Sequence, residues 1–389
     1  MLRKMGMNVV FVCCMALLSV FSAVNYPPLA GAQGVDSYTK LMLHADGSDQ
    51  GTSFTDSETT PKTVTNTETY DSYTKLMLHM EGSGNSFTDS AASKAVTTNG
   101  DVTQTTAQFK LGSNSAVFNG SGNSLSLADS NDWNFGSGDF TIDFWVRWNT
   151  HTGMQVCPLV SQTDPTNPQT HCWTLGWHPG IPGLYFSAEN GSVLTNVYGN
   201  TFTPTDGQWY HIAVVRNGSN ILIFNDGVLQ TGTVWTSIGS NLIPDFTAPV
   251  LIAGPFGGST PTFHFLDGWL DELRISKGIA RWTSDFTPPS SPYGKVATVT
   301  SQKKFGTASG EFKGSGDYLS LADSDDWNFG SGAFTVDFWV KWNTDSTNFK
   351  SFIMGQMIGD SRWHLYVHPS SGGIALYSML NGSTNQDVN

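Results

Sequence analysis

The sequence predicts an all-β protein, an antiparallel β-sandwich of jelly-roll type, with one complete domain and a partial second copy. Three observations carry this. Only 13% of the 389 residues are charged, against about a quarter in an average globular chain. Long surface helices therefore lack the Glu, Lys and Arg they are built from. Of the 32 acidic residues only six are glutamate, and glycine reaches 41. Asp and Gly belong to tight turns and to calcium sites. Finally, apolar residues recur at period two over short stretches broken by Gly, Asn and Ser, the pattern of half-buried strands. The formal net charge of −13 argues against nucleic acid as a partner, because no broad basic face exists to neutralise phosphates.

The N-terminus reads as a leader. Met1-Leu-Arg-Lys4 is basic, Met7 to Phe21 is apolar, and Ala30-Gly-Ala32 is a small-residue cleavage pattern. Together they point to a secretory signal peptide over residues 1–32, and so to a secreted or cell-surface location. The apolar run is shorter than the ~20 residues of a membrane-spanning helix, and the mature chain is expected not to insert into a membrane. Removing the leader removes Cys13 and Cys14. Cys157 and Cys172 remain, on either side of a Pro- and Asn-rich stretch. In an exported protein this suggests a disulfide worth ~3 kcal/mol. Two free thiols are the alternative.

The chain repeats itself in pieces. The segment Asp36–Asp49 recurs as Asp71–Gly84, at an offset of 35 residues. A longer stretch, Lys110–Thr150, recurs as Lys304–Thr344, at an offset of 194. Periods this long describe whole domains rather than solenoid repeats. The complete copy spans 71–293. The C-terminal copy, 296–389, lacks the opening strand. The orphan segment 36–65 matches that missing part. We therefore expect the orphan strand to pair with an incomplete copy, either in cis or by exchange across a dimer.

Within the complete copy, Leu76, Leu78 and Met80 alternate along the first strand. Ala116–Phe118 and Ser124–Leu127 flank a Gly-Ser-Gly turn. The strongest strand is Phe140–Trp148. Phe140, Ile142, Phe144, Val146 and Trp148 share one face, and Thr141, Asp143, Trp145 and Arg147 the other. The stretches 158–160, 173–175 and 183–187 supply further strands. Trp209 to Gly232 reads as a hairpin with Asn217-Gly218 at its turn. Val250–Ala253 and Gly268–Ile275 complete the set.

The order of these segments resembles the laminin-G-like branch of the concanavalin A-like lectin/glucanase superfamily. The matching pieces are Leu76-LHMEGS with Phe87–Ser90, Ala116-VFNGSGNSLSLADS, Asn134-FGSGDFTIDFWVRW, Asp206-GQWYHIAVVRNG, Ile223-FNDGV and Asp267-GWLDELRISKGIARW. They cover nearly all of 71–293 and the first half of the pattern at 296–389. The resemblance implies two curved antiparallel sheets and a binding role. It also implies a possible structural Ca²⁺, for which Glu81, Asp89, Asp267 and Asp271 are the candidate ligands. The acidic Glu-x-Asp-x-x-Glu signature of the superfamily's glucanases is absent, and Asp271 and Glu272 are adjacent in a strand, so alternation turns them to opposite sides. No catalytic residues are expected.

Sugar binding needs exposed aromatic faces beside hydrogen-bonding groups. Trp145 stands out of phase with its strand's apolar face, between Asp143 and Arg147, and the second copy repeats this as Asp337, Trp339 and Lys341. Trp173, Trp177, Tyr185 and Trp235 are further candidates at strand ends and loops. The sequence thus points to a secreted, non-enzymatic module that recognises carbohydrate or a glycoprotein surface. A protein–protein adhesion repeat and the accessory domain of a glycoside hydrolase are the alternatives.

Overall fold

The computed structural model describes residues 8–12, 39–46, 50, 52–58, 61–66, 68–154, 156–164, 167, 170–180, 183–254, 265–312, 317–329, 333–342, 351–358, 361–367, 374–380 and 383–388. Among them the secondary structure is antiparallel β, apart from one 3-10 turn at Asp325–Trp327. No helix among them is long and apolar enough to cross a membrane. The chain divides into two compact units. One is Asp71–Pro292. The other combines Met1–Tyr70 with Tyr293–Asn389.

The central unit holds two eight-stranded sheets. In the first, Phe140–Trp148 lies between Trp209–Asn217 and Asp267–Lys277, with Ile142 opposite both Val214 and Ile275. Asn220–Asn225 and Val228–Leu229 extend one side, and Ser115–Asn119 and Thr103–Thr105 the other. Thr74–Leu78 also pairs with Asp267–Lys277. The second sheet runs Val234–Thr236, Val193–Tyr198, Gly183–Asn190, His171–His178, Cys157–Thr163, Val250–Ile252, Ser124–Leu127 and Val96–Asn99.

The alternation read from sequence sets the layers. Phe140, Ile142, Phe144, Val146 and Trp148 all enter one continuous core. They meet Ile212, Val214, Leu270 and Ile275 of their own sheet and Leu159, Val160, Trp173, Leu175, Phe186 and Val197 of the other. Two β-period faces packed together give the sandwich. Between Trp209–Asn217 and Asn220–Asn225, Asn217 pairs with Asn220 and the chain turns through Gly218 at φ 58°. A side chain there would be strained.

The flanking unit has a seven-stranded sheet, ordered Ser383–Val388, Ile374–Leu380, Ser361–Val367, Ser351–Ile358, Asn8–Val12, Tyr318–Ala322 and Val64–Thr65. Leu321 and Trp327 form its small core, with Leu41 and Val64 packed against them. Of the expected leader only Asn8–Val12 is described, as a strand paired with Tyr318–Ala322 and Ser351–Ile358; the rest of residues 1–32, including the basic start and Ala30–Ala32, lies outside the described residues. Residues 333–342 repeat the central strand in sequence, yet they join no sheet, and Trp339 is 67% exposed. In the central unit the equivalent strand is held on both sides by Trp209–Asn217 and Asp267–Lys277. Asp337, Trp339 and Lys341 therefore line no sheet face among the described residues.

Candidate functional site

The outer face of the first sheet was the expected groove. The structure closes it. Asp143 is fully buried, and its carboxylate accepts from Arg274 Nε at 3.0 Å and Nη2 at 3.3 Å. The domain's own 279–286 segment covers the face. Trp282 and Phe286 stack at 4.0 Å, and both stand edge-on to His211. Arg281 fastens the segment through Asp71, with two bonds of 3.0 Å, and through Ser276 Oγ at 2.7 Å. Trp145 is only 5% exposed, beneath the Lys110 ammonium at 4.2 Å. Arg147 donates to Gly207 O at 2.7 Å and lies 4.9 Å from the Trp269 ring. Asp143 and Trp145 are thus buried and Arg147 is bonded to Gly207, so the three present no open groove. The reason is physical: a sheet face carrying Ala213, Val215 and Phe224 beside its polar residues is stabilised by being covered.

Burial lifts the Asp71 carboxyl, but the Arg281 guanidinium and Thr74 outweigh it and hold the group below its ordinary value. The clamp's contribution is therefore complete above the unfolded carboxylate pKa and is lost as pH falls through the lower folded value. Urea midpoints measured from pH 5 to 2 should fall more steeply for the wild type than for Asp71→Asn. Parallel curves would show that the pair contributes nothing.

A β-bulge corrects the expectation for Asp271 and Glu272. The register shifts between Asp143 and Trp145, and Glu272 adopts φ 51°. The extra residue leaves Leu270 and Leu273 in the core and puts both carboxylates on the other side. Neither is accessible. Asp271 Oδ2 accepts Lys110 N at 2.8 Å and Leu111 N at 3.0 Å, and Glu272 Oε1 meets His79 Nδ1 at 2.6 Å. Burial, with the charges of Glu272 and Glu81 added, pushes the Asp271 carboxyl well above the usual range.

The other expected calcium ligands have their own partners. Glu81 accepts from Ser113 N at 2.8 Å and from Asn114 N at 3.3 Å. Asp89 caps the backbone of Met77, Ala91 and Lys94. Asp267 bonds Asn149 Nδ2 at 3.2 Å through each oxygen. Among the described residues, no three His, Cys, Asp or Glu side chains stand together as a metal-holding group.

The cysteine pairing is also corrected. Cys157 lies opposite Trp177, and Cys172 lies opposite Thr163, at the far end of the same strand pair. Five residues of extended chain separate the two positions, about 17 Å, whereas a disulfide needs Cα atoms within about 7 Å. Both are buried free thiols. Burial pushes each thiol up to about 12, with Glu189 adding to the effect at Cys172. Alkylation without reductant should add nothing to the native domain and two groups after denaturation; a mass showing none after denaturation would restore the disulfide.

The second sheet carries an exposed aromatic at its edge, Trp235, while Tyr185 and Tyr198 beside it are 6% and 8% exposed. Its inner side takes Trp173, whose Nε1 donates to Gln162 Oε1 at 3.0 Å, and Trp177, whose Nε1 donates to Phe202 O at 2.9 Å. Both are core residues, so neither can serve as a ligand platform. Its outer side carries Tyr185 and Trp235, joined by two residues that the sequence reading passed over, His178 and Tyr198. Register sets Gly176, Tyr185 and Tyr198 in one row across three strands. Tyr185 and Tyr198 stand 5.9 Å apart, Tyr198 and Trp235 5.0 Å, and His178 lies 6.3–6.4 Å from both tyrosines. Gly176 makes the row possible, because a Cβ there would come within 2.8 Å of the Tyr185 ring and 2.6 Å of Cys157 O. Trp235 ends the ledge, 58% exposed.

Beside this ledge runs a polar row, Ser161, Thr174, Ser187, Asn196 and Thr236, each opposite the next. Ser187, Asn196 and Thr236 are half-buried, as is Glu189. Alternation along Val193–Tyr198 could have located Tyr198, since Thr195 and Val197 turn inward and Asn196 and Tyr198 outward. Burial lowers the His178 pKa and raises those of Tyr185, Tyr198 and Glu189. The ledge offers rings, hydroxyls and an amide beside the Glu189 carboxyl, with no Lys or Arg among them.

Comparison with known proteins bears on the same region. Residues 118–281 match the laminin G-type family described as the concanavalin A-like lectin/glucanases superfamily. Domain 4 of AbnA, a GH43 extracellular arabinanase from Geobacillus stearothermophilus solved with arabinotriose, is similar at a TM-score of 0.39 and 19% identity, over 53% of this chain and 93% of that one. Trypanosoma rangeli sialidase gives 0.37 and 15%, over 54% of this chain and 32% of the sialidase. The binding domain of botulinum neurotoxin serotype G gives 0.39 and 14%, over 80% and 81%. No curated protein matches. The pattern of the concanavalin A-like lectin/glucanases superfamily thus falls inside the central copy, over residues 118–281.

Proposed function

We propose that the central domain is a non-catalytic module that binds neutral carbohydrate along the His178–Tyr185–Tyr198–Trp235 ledge, on a protein exported by its N-terminal leader. The observation that carries this reading is the run of rings across neighbouring strands, ending on an exposed tryptophan, beside Ser187, Asn196 and Thr236. Sugars present C–H faces that stack on rings, and hydroxyls that need polar partners. Such sites are largely apolar, with a few placed hydrogen-bonding groups. The absence of cations on the ledge favours neutral sugars over acidic ones. A binding role, rather than hydrolysis, is supported by Asp271 and Glu272. A glycosidase needs two carboxyl groups reaching the scissile bond, and here Asp271 is buried against the backbone of Lys110 and Leu111 and Glu272 against His79.

A glycan array with the wild type and Trp235→Ala tests this. Neutral glycans should bind, and the variant should lose about 2 kcal/mol, roughly thirtyfold in affinity, as a central aromatic contact does. Its melting temperature should not change, because the ring is largely exposed. Bound glycans should be recovered intact. Undiminished binding by Trp235→Ala would reject the ledge, and hydrolysed glycan would reject the non-catalytic reading.

A further inference from the structure

In the central unit one cluster ties the opening segment to the chain around Trp133. Asp89 Oδ1 accepts Met77 N at 3.0 Å and Ala91 N at 3.1 Å, and its Oδ2 accepts Lys94 N at 3.0 Å. Lys94 Nζ donates to Lys75 O at 2.9 Å, pairs with Asp132 at 2.7 Å and lies 5.4 Å from the Trp133 ring centroid. Trp133 Nε1 donates to Ala128 O at 3.0 Å. All of this is made within one continuous stretch of chain.

The flanking unit makes the same cluster from two pieces. Asp56 Oδ1 accepts Met42 N at 3.0 Å and Glu58 N at 3.2 Å, and its Oδ2 accepts Lys62 N at 2.9 Å. Lys62 Nζ donates to Lys40 O at 2.6 Å, pairs with Asp326 at 3.1 Å and lies 5.1 Å from the Trp327 ring centroid. Trp327 Nε1 donates to Ala322 O at 3.2 Å. Ala322, Asp326 and Trp327 are the 194-residue repeats of Ala128, Asp132 and Trp133.

Two further matches are independent of that cluster. Val96 and Thr97 pair with Leu127 and Ser126, while Val64 and Thr65 pair with Leu321 and Ser320, in the same register. Glu81 accepts from Ser113 N at 2.8 Å, and Asp46 accepts from Thr307 N at 2.7 Å, the repeat of Ser113. Two unrelated segments meeting by nonspecific apolar contact would not reproduce register, cap and ion pair together.

We propose that residues 39–66 and 296–388 are the two parts of a single interrupted copy, joined in cis, with the central domain inserted between them and the Asp56–Lys62–Asp326–Trp327 cluster as the clasp. The surface around Leu321, Trp327 and Thr307 is then a strand-docking site whose occupant is this chain's own 39–66 segment. This holds whatever ligand the central ledge takes. The clasp is electrostatic and directional, since Lys62 reaches a carbonyl, a carboxylate and a ring at once.

The test uses the full chain with protease sites inserted after Tyr70 and after Pro292. After both cuts, native mass spectrometry should show the N-terminal fragment bound one-to-one to 293–389. In a mixture of isotopically heavy and light chains refolded together before cutting, the pairs should be all heavy or all light. Asp56→Ala should weaken retention at least tenfold, while Asp89→Ala should leave it unchanged. Free release of the N-terminal fragment, its recovery with 71–292 alone, or mixed heavy–light pairs would each overturn the proposal. The first comparison needs no substitution, so a variant that fails to fold does not remove the test.

Discussion

Replacing Asp143 by alanine is expected to destabilise the central domain by about 3–5 kcal/mol, enough to leave a marginally stable domain largely unfolded. The carboxylate and the Arg274 guanidinium are both buried, and they are joined by two hydrogen bonds. Removing one partner leaves the other as an uncompensated charge in the interior. His211 Nε2, 3.6 Å from Asp143 Oδ2, loses a neighbouring carboxylate as well. The contrast is the informative part. Asp143→Leu combined with Arg274→Met removes both charges, and such double replacements are often neutral or stabilising. Urea denaturation of the two proteins decides it. A single variant as stable as wild type would show that water reaches the pair.

Truncating Arg216 to alanine should cost on the order of 3 kcal/mol, through hydrogen bonds that involve a charged donor. Its guanidinium donates to Gly218 O at 3.0 Å, Gly136 O at 2.9 Å and Asn241 O at 2.8 Å. These three carbonyls belong to a hairpin turn and two loops, so one buried side chain closes the end of the sandwich. Arg216→Lys should restore only part of the loss, because an ammonium cannot reproduce the planar fork. A full rescue by lysine would mean that charge alone matters and geometry does not.

The layers of the sandwich were legible because alternation is local. Phe140 to Trp148 announced which residues enter the core, and the structure agrees at every one of those apolar positions. What alternation leaves open is which outer face stays open to solvent. That depends on where 279–286 comes to lie, and no local pattern marks Trp282 as a cover for His211. Trp145 read as exposed for this reason, while Trp209 and Trp269 fall beside Arg147 on the outer side. The bulge at Glu272 was equally hidden, because a single inserted residue reverses the facing of its neighbour without changing composition. Tyr185 and Trp235 were found as aromatics near strand ends, but the ledge they form needs Gly176, whose role is visible only once three strands are paired.

The cysteines carry a consequence for how this domain can be handled. Its two thiols sit at opposite ends of one strand pair, so no covalent staple has to form during folding. Stability should then be indifferent to redox potential, in glutathione as in air. Dithiothreitol should leave the unfolding curve where it was, and replacing both positions with serine should cost only what two small buried groups lose in exchanging sulfur for a hydroxyl.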